Sequence, residues 1–234
     1  MSRPRPTVAI AILAAGSGSR MNSAVTKQKM IIKGKTLLGR SVMAFEKSKL
    51  VDDIIVVVRK DELEFAESEL SGIKKLRKIV IGGNTRAESA KNAFLAIGNN
   101  CLFFGVHDCA RCLIDTEDVD KVISDAFRYG AATASTPVYD TVKEINESQN
   151  IKFTHKRETM RFVQTPQVFD SELYRKALES ISGLDPQSVT DDNMLLENIG
   201  VSVHCTDTKP TNIKITTAAD IEYAEFLLKR KKKK

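Results

Sequence analysis

The chain has 234 residues, 42% hydrophobic and 28% charged with six prolines, which gives ample material for a core and excludes a disordered or fibrous chain. Its net charge of +6 resides in the terminal run Lys229, Arg230 and Lys231 to Lys234; the remaining body balances 30 acidic residues, which argues against a nucleic-acid-binding surface and for a solvated tail at 229–234. No apolar run approaches the roughly 20 residues of a membrane span, and the four cysteines are too few for a disulfide scaffold.

The first apolar run passes into a glycine loop rather than a cleavage-site pattern, so no signal peptide is read and a cytoplasmic location is expected. That run, residues 8–14, is a buried strand. A helix with apolar spacing follows at 36–47, a second buried strand at 53–58 and a charged helix at 61–70. Then come a short strand at 78–81 stopped by Gly82-Gly83, an alanine-rich helix at 86–97, a strand at 102–106, and a helix at 116–129 ended by Gly130. Strands alternating with helices imply βαβ units in a mainly parallel sheet, and continuous apolar strands fit a sheet covered on both faces. Residues 132–138 read as a further core strand. Residues 141–145 and 151–154, separated by the polar turn 146–150, read as a hairpin too polar to bury a face in the core, so it is expected to pack on another subunit. Helices at 171–179 and from about Asp191, a strand at 202–206, the segment 212–216 and a helix from Ala218 complete the chain. With no repeat and no linker, residues 1–234 are expected to form one domain.

An open α/β sheet binds ligands at the carboxyl ends of its strands, and the polar motifs gather there. Ala14-Ala15-Gly16-Ser17-Gly18-Ser19-Arg20-Met21 follows the first strand. It is not a dinucleotide fingerprint, because the third glycine falls at Met21. Gly34-Lys35-Thr36 is not a P-loop end, because the earlier glycine is Lys29. Two readings stand: a phosphate cradle flanked by the cations Arg20 and Lys27, or a tight turn with basic neighbours. Asp108, after Val106-His107, is either a Mg²⁺ ligand whose shell phosphates complete or a turn aspartate; His107 reads as a packed residue rather than a base. Gly82-Gly83-Asn84 with Arg86 and Ser89 holds a base or turns the chain. Thr190-Asp191-Asp192 is by default a helix cap. Cys109 and Cys112 form one C-x-x-C without the paired partner ligands of a zinc site, and read as ordinary thiols.

In order, A-A-G-x-G-x-R-M, K-Q, G-G-x-x-R-x-x-S, H-D-x-A-R, D-T-x-K, T-P-Q and N-I-K-I-T resemble the 2-C-methyl-D-erythritol 4-phosphate cytidylyltransferase family, from Ile10 to about Leu228. The resemblance implies a Rossmann-like α/β nucleotidyltransferase fold and a homodimer formed through an extended β-arm, here about residues 138–160. It implies CTP and methylerythritol phosphate as substrates, with Mg²⁺ or another divalent cation. By the same resemblance, Arg20 and Lys27 stabilise the transition state. The loop Ala14, Ala15, Gly16 and Gly18 holds the triphosphate, and Gly82, Gly83 and Ser89 hold the cytosine. Asp108 and Arg111 stand at the ribose, phosphates and metal. Lys214 contacts phosphate and helps place the acceptor. Thr141 and Arg157 hold the acceptor across the dimer, and Thr211 stands where an acidic residue contacts its hydroxyls. Thr26 replaces a proline before K-Q, Lys29 replaces an aromatic residue after it, and Cys112 replaces the proline of H-D-x-A-R-P. A ribitol 5-phosphate cytidylyltransferase shares the fold and CTP site and is the nearest rival; a polyanion binder using the tail is a more distant one.

Overall fold

The computed structural model describes residues 5–16, 26–98, 100–180 and 189–231. In chain order these form β1 (Val8–Leu13), β2 (Ile31–Ile32), β3 (Lys35–Thr36), α1 (Leu37–Glu46), β4 (Asp53–Val58), α2 (Leu63–Glu69) and β5 (Leu76–Ile81). There follow α3 (Arg86–Leu95), β6 (Phe103–Asp108), α4 (Thr116–Tyr129), β7 (Ala131–Pro137), β8 (Lys143–Ile145), β9 (Ile151–Thr154) and β10 (Arg161–Asp170). The chain ends with α5 (Ser171–Glu179), α6 (Asn193–Asn198), β11 (His204–Asp207) and α7 (Ala218–Lys231).

Seven strands make one sheet in the order β11-β7-β10-β6-β1-β4-β5. All neighbours pair in parallel except β10, which runs antiparallel to both β6 and β7. The side-chain period of two sorts each strand between the faces. Val8, Ile10 and Ile12 of β1 join Ile54, Val56 and Val58 of β4 under Leu38, Val42 and Phe45 of α1 and Val122 and Ile123 of α4. Ala9 and Ala11 face the other way with Ile55 and Val57, against Ala90, Ala93 and Phe94 of α3 and Tyr174 of α5. The small residues on that second face let α3 lie close to the sheet. This is an α/β fold with a mostly parallel, doubly covered sheet.

Helix termini use local chemistry. The Thr36 hydroxyl accepts from the Gly39 N–H, the Thr85 hydroxyl from the Glu88 N–H, and the Asp170 carboxylate from the N–H groups of Glu172 and Leu173. Gly130 ends α4 at φ +83°, a conformation only glycine adopts at low cost.

The predicted strand at 53–58 and helices at 116–129 and 171–179 coincide with β4, α4 and α5. Three features differ. The charged helix expected over 61–70 starts as a 3-10 turn, Lys60–Glu62, and becomes α-helical only at Leu63. The strand expected at 202–206 begins only at His204 and runs to Asp207, and the segment 212–216 beyond it joins no ladder, although the Ile215 N–H bonds the Ala110 carbonyl at 2.8 Å. The third is β10, ten residues long and unexpected: its interior proline and polar neighbours contradict the pattern of a central strand. A register shift between Val163 and Gln167 accommodates them, with a cis bond at Thr165–Pro166. Cys109 and Cys112 are buried and unbridged, and burial pushes both thiols up, Cys112 to about 11. No helix of the described residues is long and apolar enough to cross a membrane.

Candidate active site

At the carboxyl ends of β1, β5 and β6 the loops separate around a cavity of about 490 Å³, within the range of small-molecule sites. Its walls are Ala14 to Gly16, Lys27 and Gln28, Gly83 to Arg86 with Ser89, Asp108 to Ala110, and Lys214. Ladder bonds carry the loops outward from the sheet. The Ala14 N–H donates to the Val57 carbonyl at 2.7 Å, the Cys109 N–H to Leu13 at 3.0 Å and the Gly82 N–H to Val58 at 2.9 Å. Gly82 must be glycine on packing grounds, since a Cβ there would lie 2.6 Å from that of Ala15. Ser89 pins the same turn: its hydroxyl accepts from the Gly83 N–H at 3.1 Å and donates to the Thr85 carbonyl at 2.9 Å.

Asp108 is the electrostatic centre. Lys214 Nζ stands 2.7 Å from Oδ2 and Arg86 Nε 3.3 Å from Oδ1. Burial would raise this carboxyl, but Arg86, Lys214 and Arg111 outweigh it and hold it well below the usual carboxylate range. Arg86 is fixed from behind, its Nη1 pairing with the buried Asp192. The Tyr174 hydroxyl donates to the other Asp192 oxygen at 2.6 Å, and the Asp192 N–H donates to Gln167 Oε1 at 3.0 Å. Burial lowers the Arg86 pKa, yet Asp192 and Asp108 raise it further, so the guanidinium keeps its charge. Arg86 Nη2 is buried without a hydrogen-bond partner among the described residues.

His107 is a packed residue. It stacks obliquely on Phe45 at 4.8 Å, and Nδ1 lies 3.0 Å from the Thr165 hydroxyl, which also accepts from the Asp108 N–H at 3.0 Å. Burial pushes the imidazole down to about 3, leaving it neutral. Asn212 explains how Lys214 arrives. Its side-chain amide donates to the Gln164 side chain and the Thr165 carbonyl, both at 2.9 Å, and its main-chain carbonyl accepts from Arg111 at 3.0 Å. The T-P-Q, H-D-x-A-R and N-I-K segments thus meet as one bonded unit.

Of the residues singled out from sequence, Ala14, Ala15, Gly16, Lys27, Gly83, Ser89, Asp108 and Lys214 line the cavity. Gly82 and Arg111 stand behind its wall. Gly18 and Arg20 lie outside the described residues. Thr141, Arg157 and Thr211 do not line the cavity of their own chain; Thr141 and Arg157 are exposed beside the hairpin, with Arg157 donating to the Tyr139 carbonyl at 2.9 Å. Asp108, expected as a metal ligand, has its two oxygens bonded by Arg86 and Lys214, and the described residues hold no group of three His, Cys, Asp or Glu that could hold an ion. Among the described residues Asp108 is thus a single carboxylate, which would need substrate phosphates to complete the shell of a metal ion. Thr190-Asp191-Asp192 also serves differently from a simple cap. Asp191 accepts from the Met194 N–H at 3.2 Å, while Asp192 is spent on Arg86 and Tyr174. Nothing in the local pattern marks that partnership, which joins residues 106 positions apart.

The model of the family described as 2-C-methyl-D-erythritol 4-phosphate cytidylyltransferase matches residues 8–230. The chain belongs to this family. Relatives bearing that name include one from Alkaliphilus metalliredigens, 34% identical over 228 residues (96% of this chain and 94% of the relative), and one from Endomicrobium trichonymphae, 38% identical over 218 residues (93% and 97%). Among solved structures, the 4-diphosphocytidyl-2C-methyl-D-erythritol synthase of Anaerococcus prevotii is similar with a TM-score of 0.85 at 29% identity, covering 96% of this chain and 99% of that one. The cytidylyltransferase of Thermus thermophilus gives 0.75 at 28% identity, covering 95% and 98%. The antiparallel β10, the element that the strand pattern did not announce, thus stands within a fold shared across nearly the whole family chain.

Proposed function

We propose that this family member transfers a cytidylyl group from CTP to 2-C-methyl-D-erythritol 4-phosphate, giving 4-diphosphocytidyl-2-C-methyl-D-erythritol and pyrophosphate for isoprenoid precursor synthesis. The observation that carries the reading is the cavity's charge: Lys214 and Arg86 pair with one ionised carboxylate in a cavity that Lys27 also lines, where a triphosphate would have to lie. The relatives' shared name supplies the acceptor and gives no support to ribitol phosphate.

An acceptor phosphate oxygen attacks the α-phosphorus, a new P–O bond forms, and the bond to the bridging oxygen of the β-phosphate breaks. The attacking oxygen is already anionic, so no general base is required, in keeping with the neutral, buried His107. Orientation and neutralisation of charge carry the rate. Lys27, with Arg20, stabilises the charge growing on the α-phosphate; Lys214 draws the acceptor phosphate in; Arg86 lends its charge to the cavity wall. Ala14 to Gly18 hold the triphosphate, Gly82, Gly83 and Ser89 the cytosine, and Asp108 and Arg111 the ribose side. Magnesium enters as the magnesium–CTP complex, a part of the substrate, with Asp108 the one carboxylate at the described cavity wall to meet it. Thr141, Arg157 and Thr211 meet the acceptor, the first two reaching the site of a second copy in a cytoplasmic homodimer. Their exposure beside the hairpin supports that placement.

Purified protein incubated with CTP, Mg²⁺ and each acceptor in turn should release pyrophosphate with methylerythritol phosphate; release with ribitol 5-phosphate alone would overturn the assignment. Lys27→Ala should lower kcat by roughly 100-fold, the usual loss for one preorganised charge donor, with an unchanged melting curve. A near-normal rate would remove Lys27 from the mechanism.

A further inference from the structure

Residues Lys27–Lys29 form a single 3-10 turn, held internally by two backbone bonds: Lys29 N–H to the Thr26 carbonyl at 3.0 Å and Met30 N–H to the Lys27 carbonyl at 3.1 Å. One such turn is too short to order itself. Yet it presents Lys27 and Gln28 to the cavity, so something outside it must fix it.

Glu62 meets that need. Its side chain is 0% exposed, with Arg59 Nε 3.7 Å from Oε2. Oε1 accepts from the Thr26 hydroxyl and Oε2 from the Gln28 amide. Three residues further along, at the start of α2, the Phe65 ring lies 5.1 Å beneath the Lys29 ammonium. Positions 26, 28 and 29 are therefore all tied to the segment 62–65, on both sides of Lys27. A carboxylate buried this completely is costly unless hydrogen-bonded and paired. Two of its donors come from the turn, so carboxylate and turn order one another. Thr26 stands at φ −65° and ψ 146°, angles open to proline as well, so its hydroxyl, rather than any special backbone shape, is what this chain adds here.

We propose that Glu62 is a positioning residue for the transfer reaction: by clamping Thr26 and Gln28 it fixes the turn 26–29 and aims Lys27 into the cavity. Glu62 touches no substrate in this scheme. It acts through the backbone on which Lys27 stands, where a displacement of about 1 Å is enough to cost rate heavily. The proposal rests on the role given to Lys27 above.

The test is a double-mutant cycle. Glu62→Gln, which cannot accept on both sides, and Thr26→Val, which removes only the hydroxyl and leaves no cavity, are each made alone and with Lys27→Ala. Turnover, KM for CTP, melting temperature and amide exchange at Lys29 and Met30 are measured for each. Glu62→Gln should lower kcat about tenfold and Thr26→Val about threefold to fivefold, with KM for CTP within about threefold and exchange at both amides accelerated. In the Lys27→Ala background neither should lower kcat further. Equal losses with and without Lys27 would overturn the proposal, as would unchanged exchange in Glu62→Gln. If Lys27→Ala alone keeps a near-normal kcat, the role of Lys27 falls and takes the catalytic purpose of the clamp with it. The exchange data tell that failure apart from a clamp that does not hold the turn.

Discussion

His107 and Asp108 are consecutive residues of one strand with opposite fates. His107 faces Phe45 and Thr165 inside the sheet, whereas Asp108 faces the cations of the cavity. The histidine has a consequence for stability. Its unfolded imidazole takes a proton below about 6.5 and the folded one only at about 3, so the unfolded state binds more protons throughout that window. Stability therefore falls as pH drops from about 6.5 toward about 3, by up to roughly 1.4 kcal/mol per pH unit. Asp108 acts in the same direction at lower pH: its depressed carboxyl stabilises the fold above its ordinary value, and that contribution is lost as pH falls through the folded value. Urea midpoints between pH 7 and 4.5 should fall steeply for the parent and less steeply for His107→Gln; parallel slopes would refute the buried neutral imidazole. Gly82 offers a second prediction. Its alanine variant places a Cβ 2.6 Å from Ala15 and 2.9 Å from the Ser89 hydroxyl, an overpacking cost of about 1–3 kcal/mol. The loop Ala14 to Gly16 must shift to relieve it, so KM for CTP should rise about tenfold while kcat changes less.

β10 shows how an element escapes a local pattern. Arg161, Phe162 and Val163 are exposed, Thr165 to Phe169 are buried with Pro166 among them, and the register shifts between Val163 and Gln167. Neither a period of two nor a continuous apolar run survives that arrangement. It still holds the site together, since Thr165 supports His107 and Asp108, Gln167 supports Asp192, and Gln164 supports Asn212. Tyr174, at the heart of the second core face, links α5 to this network through Asp192. Tyr174→Phe keeps the ring packing against Phe94, Phe104 and Phe169 but leaves a buried carboxylate oxygen without its donor. A loss of about 1–3 kcal/mol in denaturant stability is expected, with kcat/KM reduced because Asp192, the anchor of Arg86, loses one of the hydrogen bonds that hold it. Full activity at reduced stability would confine Asp192 to a purely structural role.

At the scale of the whole molecule, the paired strands β8 and β9 stand apart from the main sheet and carry Ile145, Ile151 and Phe153 with much of their surface exposed; Tyr139 and Phe162 nearby are exposed too. A two-stranded hairpin is marginal on its own, and clustered apolar exposure calls for a covering surface. On the proposed homodimer, Phe153→Glu should move the mass in solution from that of two copies toward the 25.9 kDa of one and weaken use of the acceptor more than binding of CTP. An unchanged mass would separate the hairpin from assembly. Arg157→Ala should likewise depress acceptor kinetics selectively, and equal loss toward both substrates would refute its placement.

The alternation of strands and helices, the glycine turns at strand ends and the order of the polar motifs were all legible in the chain itself, because each depends on neighbours a few positions apart. What the tertiary structure decided is which charges meet. Lys214 reaches Asp108 across 106 positions, Arg86 reaches Asp192 across another 106, and Glu62 reaches back 36 to Thr26. Coulombic and hydrogen-bond energies depend on distance in space and on burial, and no local periodicity encodes either. The carboxylates that organise this site therefore became distinguishable from ordinary turn and cap residues only once the sheet had brought their partners together.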